Sequence, residues 1–214
     1  MIAAPGIKFI LIGFVLAIAC SLWSAYRDSL GFSVAGAILA VLALFLVYFY
    51  RNPVRVIPAE PGLILSSADG RVLSIEEIKN DYIGGSGKKV SIFMSVMDPH
   101  LNRIPVAGRL DYVKYIPGKF LKAFLDKASE ENEHTEIGLE FEGGRIIFKQ
   151  IAGILARRIE CPVKPGQKVT AGEIYGMIHF GSRAEIFLPN NIEVGVKTGD
   201  RVKAGVSIIG RLKS

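Results

Sequence analysis

Two uncharged apolar runs near the N-terminus constrain this chain more than any other feature. Phe9 to Tyr26 holds 18 residues without a charge, and Leu30 to Tyr50 holds 21. A helix needs about 20 apolar residues to span a bilayer, so each run has the length of a crossing. Only Arg27, Asp28 and Ser29 separate them, which predicts a tight helical hairpin. Gly13, Ala17, Ser21 and Ala25 recur every fourth residue on the first run, and Gly36 and Ala40 do so on the second. Small residues at that spacing let two helix backbones approach closely in lipid. A cleaved signal peptide is the competing reading, with Ala17-Ile18-Ala19-Cys20 as its processing site. The second run follows at once and would keep such a protein anchored anyway.

Lys8 precedes the first helix, Arg51 and Arg55 follow the second, and in the connection Arg27 is offset by Asp28. The positive-inside rule then places both the N-terminus and the remaining chain on the cytoplasmic side of the cell membrane. Residues 1–52 read as the anchor and 53–214 as one further domain, long enough for a single core. The formal net charge of +6 asks for an anionic partner. No Arg/Lys cluster with interleaved aromatics speaks for nucleic acid, and an anionic leaflet beside the anchor accounts for the charge. Cys20 and Cys161 imply neither a disulfide nor a metal framework.

After Asn52-Pro53 the chain reads as short strands and turns. Leu63 to Leu65, Arg71 to Ile75, Lys89 to Met94 and Gly144 to Ile151 are β-rich runs bounded by Gly, Asp, Asn or Pro. Phe120 to Glu133 is the best helical candidate, with a loop expected from Asn132 to Thr135 and a solvated surface at Glu130, Glu131 and Glu133. One decapeptide recurs: Val163-Lys-Pro-Gly-Gln-Lys-Val-Thr-Ala-Gly172 returns as Val196-Lys-Thr-Gly-Asp-Arg-Val-Lys-Ala-Gly205, identical at six of ten positions. Each copy predicts a tight turn and a short strand, with glycines where φ is positive. The expected architecture is therefore a transmembrane helical hairpin followed by a mainly β domain (β-rich α+β). The repeat would form a pseudo-symmetric barrel-sandwich like biotinyl- and lipoyl-carrier domains.

Four segments offer groups for chemistry. Asp69 lies in the Ala68-Asp69-Gly70 turn, where an aspartate is ordinarily a turn former. His100 and Arg103 lie in Pro99-His100-Leu101-Asn102-Arg103, and paired arginines follow Ala156 as Arg157-Arg158. The fourth is His179-Phe180-Gly181-Ser182-Arg183, between the two repeat copies. A serine after glycine can attack the carbonyl before it, because glycine admits the bent backbone that the attack requires.

In this order, together with Phe49-Tyr50-Arg51-Asn52-Pro53, these motifs resemble the short form of the phosphatidylserine decarboxylase family, from about Tyr48 to the C-terminus. The resemblance implies a self-made cofactor. Ser182 would attack the Gly181 carbonyl, and β-elimination would release residues 1–181 from 182–214 and leave a pyruvoyl group derived from Ser182. An Asp–His pair that activates the serine carries over to Asp69 and His100. The pyruvoyl group would form a Schiff base with the headgroup amine of an anionic phospholipid, phosphatidylserine or ether-linked archaetidylserine, and CO2 would leave. Longer bacterial members carry a second histidine where this chain has Arg103, so division of labour between two histidines does not transfer. Either His100 performs both proton tasks or His179 takes one, and Arg103 becomes a candidate for binding substrate carboxylate or phosphate. The two fragments would stay associated, and a homodimer is left open.

Two rivals come from other classes. A carrier domain would present a modifiable lysine between the repeat copies, but Ala171 to Val196 contains none. A metal hydrolase could use Asp69, His100, His134 and His179, but none has HxxxH or HxH spacing. No metal is expected.

Overall fold

Pro5 has no N–H to leave unpaired, which suits the first turn of α1 (Ala4–Arg27). The helix stops at Asp28, whose backbone is left-handed at φ 49°, and α2 (Leu30–Phe49) follows. The small faces meet. A Cβ on Gly36 would lie 2.8 Å from Ser21 Oγ and 3.2 Å from the Ala17 carbonyl, and one on Gly13 would lie 3.1 Å from Ala43 Cβ. Ser24 and Ser33 hydroxyls bond at 2.7 Å near the turn. Leu11, Val15, Leu22, Ile38 and Val41 point outward and exposed. Both helices are long and apolar enough to cross a membrane.

This computed structural model describes residues 1–123, 128–154, 158–179 and 181–213. Phe180, Ala156 and Arg157 of the motifs above therefore lie outside the described residues. The chain divides into two compact units, Met1–Val54 and Arg55–Ser214. The second unit is mainly β with a curled sheet. Its first half contains β1 (Leu63–Leu65), β2 (Gly70–Asn80), β3 (Gly85–Met94), β4 (Leu101–Arg103) and β5 (Gly108–Ile116). After the short α3 (Ala128–Glu131) come β6 (His134–Phe141), β7 (Gly144–Ile151), β8 (Ile159–Glu160), β9 (Lys168–Val169) and β10 (Ile174–Ile178). β11 (Ser182–Pro189), β12 (Ile192–Val194), β13 (Arg201–Val202) and β14 (Ile208–Leu212) complete it.

The helix expected over Phe120–Glu133 is not there as such: among the described residues only Ala128–Glu131 is helical. Lys119 and Leu121 instead pair with the far end of the segment. Lys119 N–H donates to the Glu131 carbonyl at 2.7 Å, and Glu133 N–H donates to the Lys119 carbonyl at 2.9 Å. The Asn132 amide bonds Leu121 N–H and the Leu121 and Ala152 carbonyls, each at 2.8 Å. The Glu133 N–H thereby pairs with Lys119, where a continuous helix would pair it with the carbonyl of Ser129. The loop expected through Thr135 also ends early, since β6 begins at His134.

An eight-stranded antiparallel sheet runs β13-β2-β3-β11-β7-β6-β5-β9, beside three-stranded sheets β1-β14-β12 and β4-β10-β8. The orders are palindromic under one exchange: β1 with β4, β2 with β5, β3 with β6, β7 with β11, and β8, β9, β10 with β12, β13, β14. The hydrogen bonds repeat under the same exchange. Leu65 N–H donates to Pro105 O as Arg103 N–H donates to Ser67 O; Val72 N–H donates to Asp200 O as Leu110 N–H donates to Gln167 O. Gly205 and Gly172 N–H donate to Ser66 O and Ile104 O, both at 2.8 Å. Residues 63–72 thus correspond to 101–110, and 163–172 to 196–205, around an internal twofold. All four turn glycines of the repeat, Gly166, Gly172, Gly199 and Gly205, have positive φ, as the spacing predicts.

Apolar residues from both halves fill one core. Ala184, Ile186 and Leu188 of β11 lie among Val90, Ile92, Ile137 and Phe148, all fully buried. Alternation along β11 then turns Arg183 and Glu185 to the other face.

Candidate active site

Ser182 opens β11 opposite Met94, the last residue of β3. Gly181 precedes it with φ +63°, a conformation that a residue with a Cβ adopts only under strain. Ser182 is fully buried, and its Oγ lies 3.4 Å from the Met94 thioether. A thioether is a weak acceptor, so little holds the hydroxyl in that rotamer. The Gly181 carbonyl is crowded against Gly153, where a Cβ would sit 1.7 Å from its oxygen. Gly153 is therefore what lets the carbonyl occupy that place.

His100 reaches the same dipeptide from the β3–β4 connection. Its Nε2 accepts the Gly181 N–H at 3.2 Å, and its Nδ1 bonds the Asp98 carbonyl at 2.7 Å. A carbonyl only accepts, so Nδ1 carries the proton, and an N–H donor requires the lone pair on Nε2. Both contacts select one neutral tautomer, with its basic nitrogen on the Gly181 N–H. Asp98 is itself pinned, its carboxylate accepting Ser95 N–H at 3.0 Å and pairing with Arg201 at 3.3 Å.

Asp69 is brought near this loop but bonds elsewhere. One carboxylate oxygen pairs with Arg55 at 2.6 Å, and the other accepts Ala204 N–H at 3.3 Å. The tautomer of His100 is thus held by the Asp98 carbonyl, and the carboxylate expected to hold it is engaged by Arg55. Burial pushes the Asp69 carboxyl above the ordinary aspartate range, Arg55 and the Ala204 N–H pull it back, and Asp98 adds to the rise. Arg103 stands by the same cluster, with Nη1 2.8 Å from the Gly172 carbonyl. Burial and Arg55 lower its proton affinity, while Asp69 raises it.

His179 follows β10, with Nε2 3.4 Å from Glu160. Burial lowers its pKa, and Glu160 works against that shift. On the other face of β11, Arg183 and Glu185 pair at 2.8 Å, 1% and 0% exposed. Ser91 and Ser129 also bond the Glu185 carboxylate, and Arg183 donates to Ser91 at 2.7 Å. Sequence reasoning missed Arg55, Met94, Asp98, Gly153, Glu160 and Glu185. Asp98 alone left a readable signal, standing before Pro99 and His100. Among the described residues no cluster of His, Cys, Asp and Glu is gathered for a metal ion.

The geometry is that of a glycyl–seryl dipeptide at a strand entrance, with a neutral imidazole on the glycine N–H. The sequence profile of phosphatidylserine decarboxylase matches residues 42–210. A protein of Symbiobacterium thermophilum named phosphatidylserine decarboxylase proenzyme is 49% identical over 179 residues, covering 83% of each chain. Proteins of the same name from Chlorobium phaeobacteroides and Carboxydothermus hydrogenoformans are each 46% identical, covering 80–83% of this chain and 81–84% of theirs. The chain belongs to the phosphatidylserine decarboxylase family.

Proposed function

We propose that this chain is a proenzyme that cleaves itself at Gly181–Ser182 and then decarboxylates phosphatidylserine to phosphatidylethanolamine and CO2. The observation that carries the reading is the lone pair of His100 Nε2 at the Gly181 N–H. Rotation of Ser182 about Cα–Cβ exchanges the Met94 sulfur for the Gly181 carbonyl carbon. Oγ bonds to that carbon as the peptide C–N bond breaks, and the hydroxyl proton passes through His100 to the Ser182 nitrogen. Loss of the Ser182 Cα proton then expels Gly181 as a carboxylate. The dehydroalanine left behind takes up water, loses ammonia and becomes the pyruvoyl end of residues 182–214.

The residues suit such a group: a buried serine, with a neutral histidine on the glycine before it. The pyruvoyl group supplies an electron sink that lets the substrate carboxylate leave as CO2. His100 then delivers a proton to the substrate carbon, with the His179–Glu160 pair as the second donor in reach of β11. Asp69 acts through the Arg55–Asp69–Arg103 charge cluster, and Arg103 offers a cation to the substrate's phosphate or carboxylate. The fragments stay together because β11 pairs with β3 along Gly87–Met94 and with β7 along Ile147–Ile151. The same pairing on both flanks, with the exchanged hydrogen bonds, supports reading the duplicated halves as a barrel-sandwich. The helical hairpin holds the domain at the cytoplasmic face of the membrane.

The test is CO2 release from phosphatidylserine labelled at the serine carboxyl, using the purified full chain. Release by the wild type and none by Ser182→Ala supports the proposal. Equal release by both would remove Ser182 from the chemistry.

A further inference from the structure

Few large apolar side chains stand exposed in the second unit: Val56, Met97, Tyr115, Ile154, Ile174 and Leu212 among the described residues. Three of them adjoin groups already placed at the active site. Val56 (87% exposed) follows Arg55, the partner of Asp69. Met97 (54%) precedes Asp98, which holds His100, and Ile154 (53%) follows Gly153, against which the Gly181 carbonyl packs. Two cations stand in the same neighbourhood. Arg201 pairs with Asp98 and keeps 71% of its side chain exposed. Arg158, 58% exposed, accepts the His179 N–H on its carbonyl.

The related corner across the internal twofold lacks this pattern. Met97 corresponds there to Ala59 and Arg158 to Asn191. Three of the six exposed apolar residues thus adjoin the reactive corner, and of the six only Leu212 lines the related one. Apolar side chains beside arginines suit the boundary between acyl chains and anionic headgroups. The chain's own apolar helices supply a reason for a bilayer to be at hand.

We propose that Val56, Met97 and Ile154 enter the bilayer surface around the active site, with Arg158 and Arg201 taking anionic headgroups beside them. The proposal rests on the reading that the substrate is a membrane lipid. Contact at this rim delivers a headgroup to Ser182 without extracting the lipid into water.

The test uses the full chain, with Cys20 and Cys161 replaced by serine, in vesicles of phosphatidylcholine and phosphatidylglycerol. A fluorophore is attached at Met97→Cys, Ile154→Cys or, as a control, the exposed Asn190→Cys, and lipids carrying a shallow nitroxide serve as quenchers. Strong quenching at 97 and 154 with little at 190 is expected. Equal quenching at all three positions would overturn the proposal. So would protection without lipid quenching that grows with protein concentration, which would assign the rim to a second copy of the chain. A paired Met97→Asp and Ile154→Asp variant provides the second readout. Its turnover of bilayer phosphatidylserine should fall about tenfold or more, as losing buried apolar contact implies. Its self-cleavage and turnover of a water-soluble short-chain phosphatidylserine should be unchanged. Loss on both substrates would mean that the rim serves the reaction itself. If the wild type releases no CO2 from either substrate but the quenching pattern stands, the functional reading fails and the bilayer contact survives.

Discussion

The corner where Met94 meets Ser182 and the corner where Phe141 meets Gly144 occupy equivalent places in the two halves. In the second, Glu142 and Gly143 close β6 onto β7 as a short hairpin. In the first, β3 runs on toward β4 and β11 arrives from β10, so the same corner is open. The opening admits the His100 loop and puts the Gly181–Ser182 bond at the entrance of β11, which pairs with β3 and β7 beyond it. Side chains follow the difference. His100 corresponds to Gly62, Asp69 to Ala107, His179 to Lys213 and Ser182 to Gly144. A cavity of ≈ 710 Å³ lies at the closed corner, lined by Gly62, Leu63, Ala107, Phe141 and Leu212 among others. Among the described residues its lining holds no serine, cysteine or histidine. The fold therefore supplies two similar corners, and chemistry depends on which one the chain leaves open.

The largest expected effect sharpens this contrast directly. His100→Ala should slow self-cleavage by about 10²–10⁴-fold, the usual contribution of a positioned acid–base group, followed by gel in a time course. Leu212→Ala, at the closed corner, should leave the rate unchanged. A stability comparison comes next. Arg183–Glu185 is buried, whereas the outer-face pair Arg145–Glu140 of the other half is 3.7 Å long and 52% and 59% exposed. Glu185→Ala should cost roughly 3–5 kcal/mol by stranding a buried arginine, and Glu140→Ala roughly 0–1 kcal/mol. Denaturant melts of both variants would break the comparison if the two costs were equal. Gly153→Ala should slow cleavage about 10²-fold, since its methyl group would lie 1.7 Å from the Gly181 oxygen and must push that carbonyl roughly an ångström or more from its place.

The smallest effect is a shift in pH dependence. Burial already lifts the Asp69 carboxyl, so it ionises later than an ordinary aspartate as pH rises. Arg55 opposes that lift. Arg55→Gln should therefore raise the carboxyl further and move the acid limb of self-cleavage to higher pH, while Arg55→Lys restores it. An acid limb that stays in place would show that ionised Asp69 is not required.

The Gly181–Ser182 bond, His100 and Asp69 could be singled out as candidates because each sits in a local motif. Their partners could not. Whether Asp69 meets His100 or Arg55 depends on how segments distant in sequence come together, and no local pattern encodes that. The twofold was legible only where turns demand glycine, in residues 163–172 and 196–205. Residues 63–72 and 101–110 make equivalent backbone bonds but share only Leu63/Leu101, Gly70/Gly108 and Arg71/Arg109, since backbone pairing does not require like side chains. The helix over Phe120–Glu133 failed for a related reason. Helical composition was outweighed by the Asn132 amide, which ties Leu121 to Ala152 across the segment.

The central claim is that the open corner cuts its own chain at one bond, and the intact mass of the purified protein tests it most directly. The account predicts two polypeptides, residues 1–181 and 182–214, the smaller without a free amino group and carrying the mass of a pyruvoyl terminus in place of serine. Ser182→Ala should give one chain of 214 residues. A wild-type protein that stays a single full-length chain, or one cut at any other bond, would contradict it.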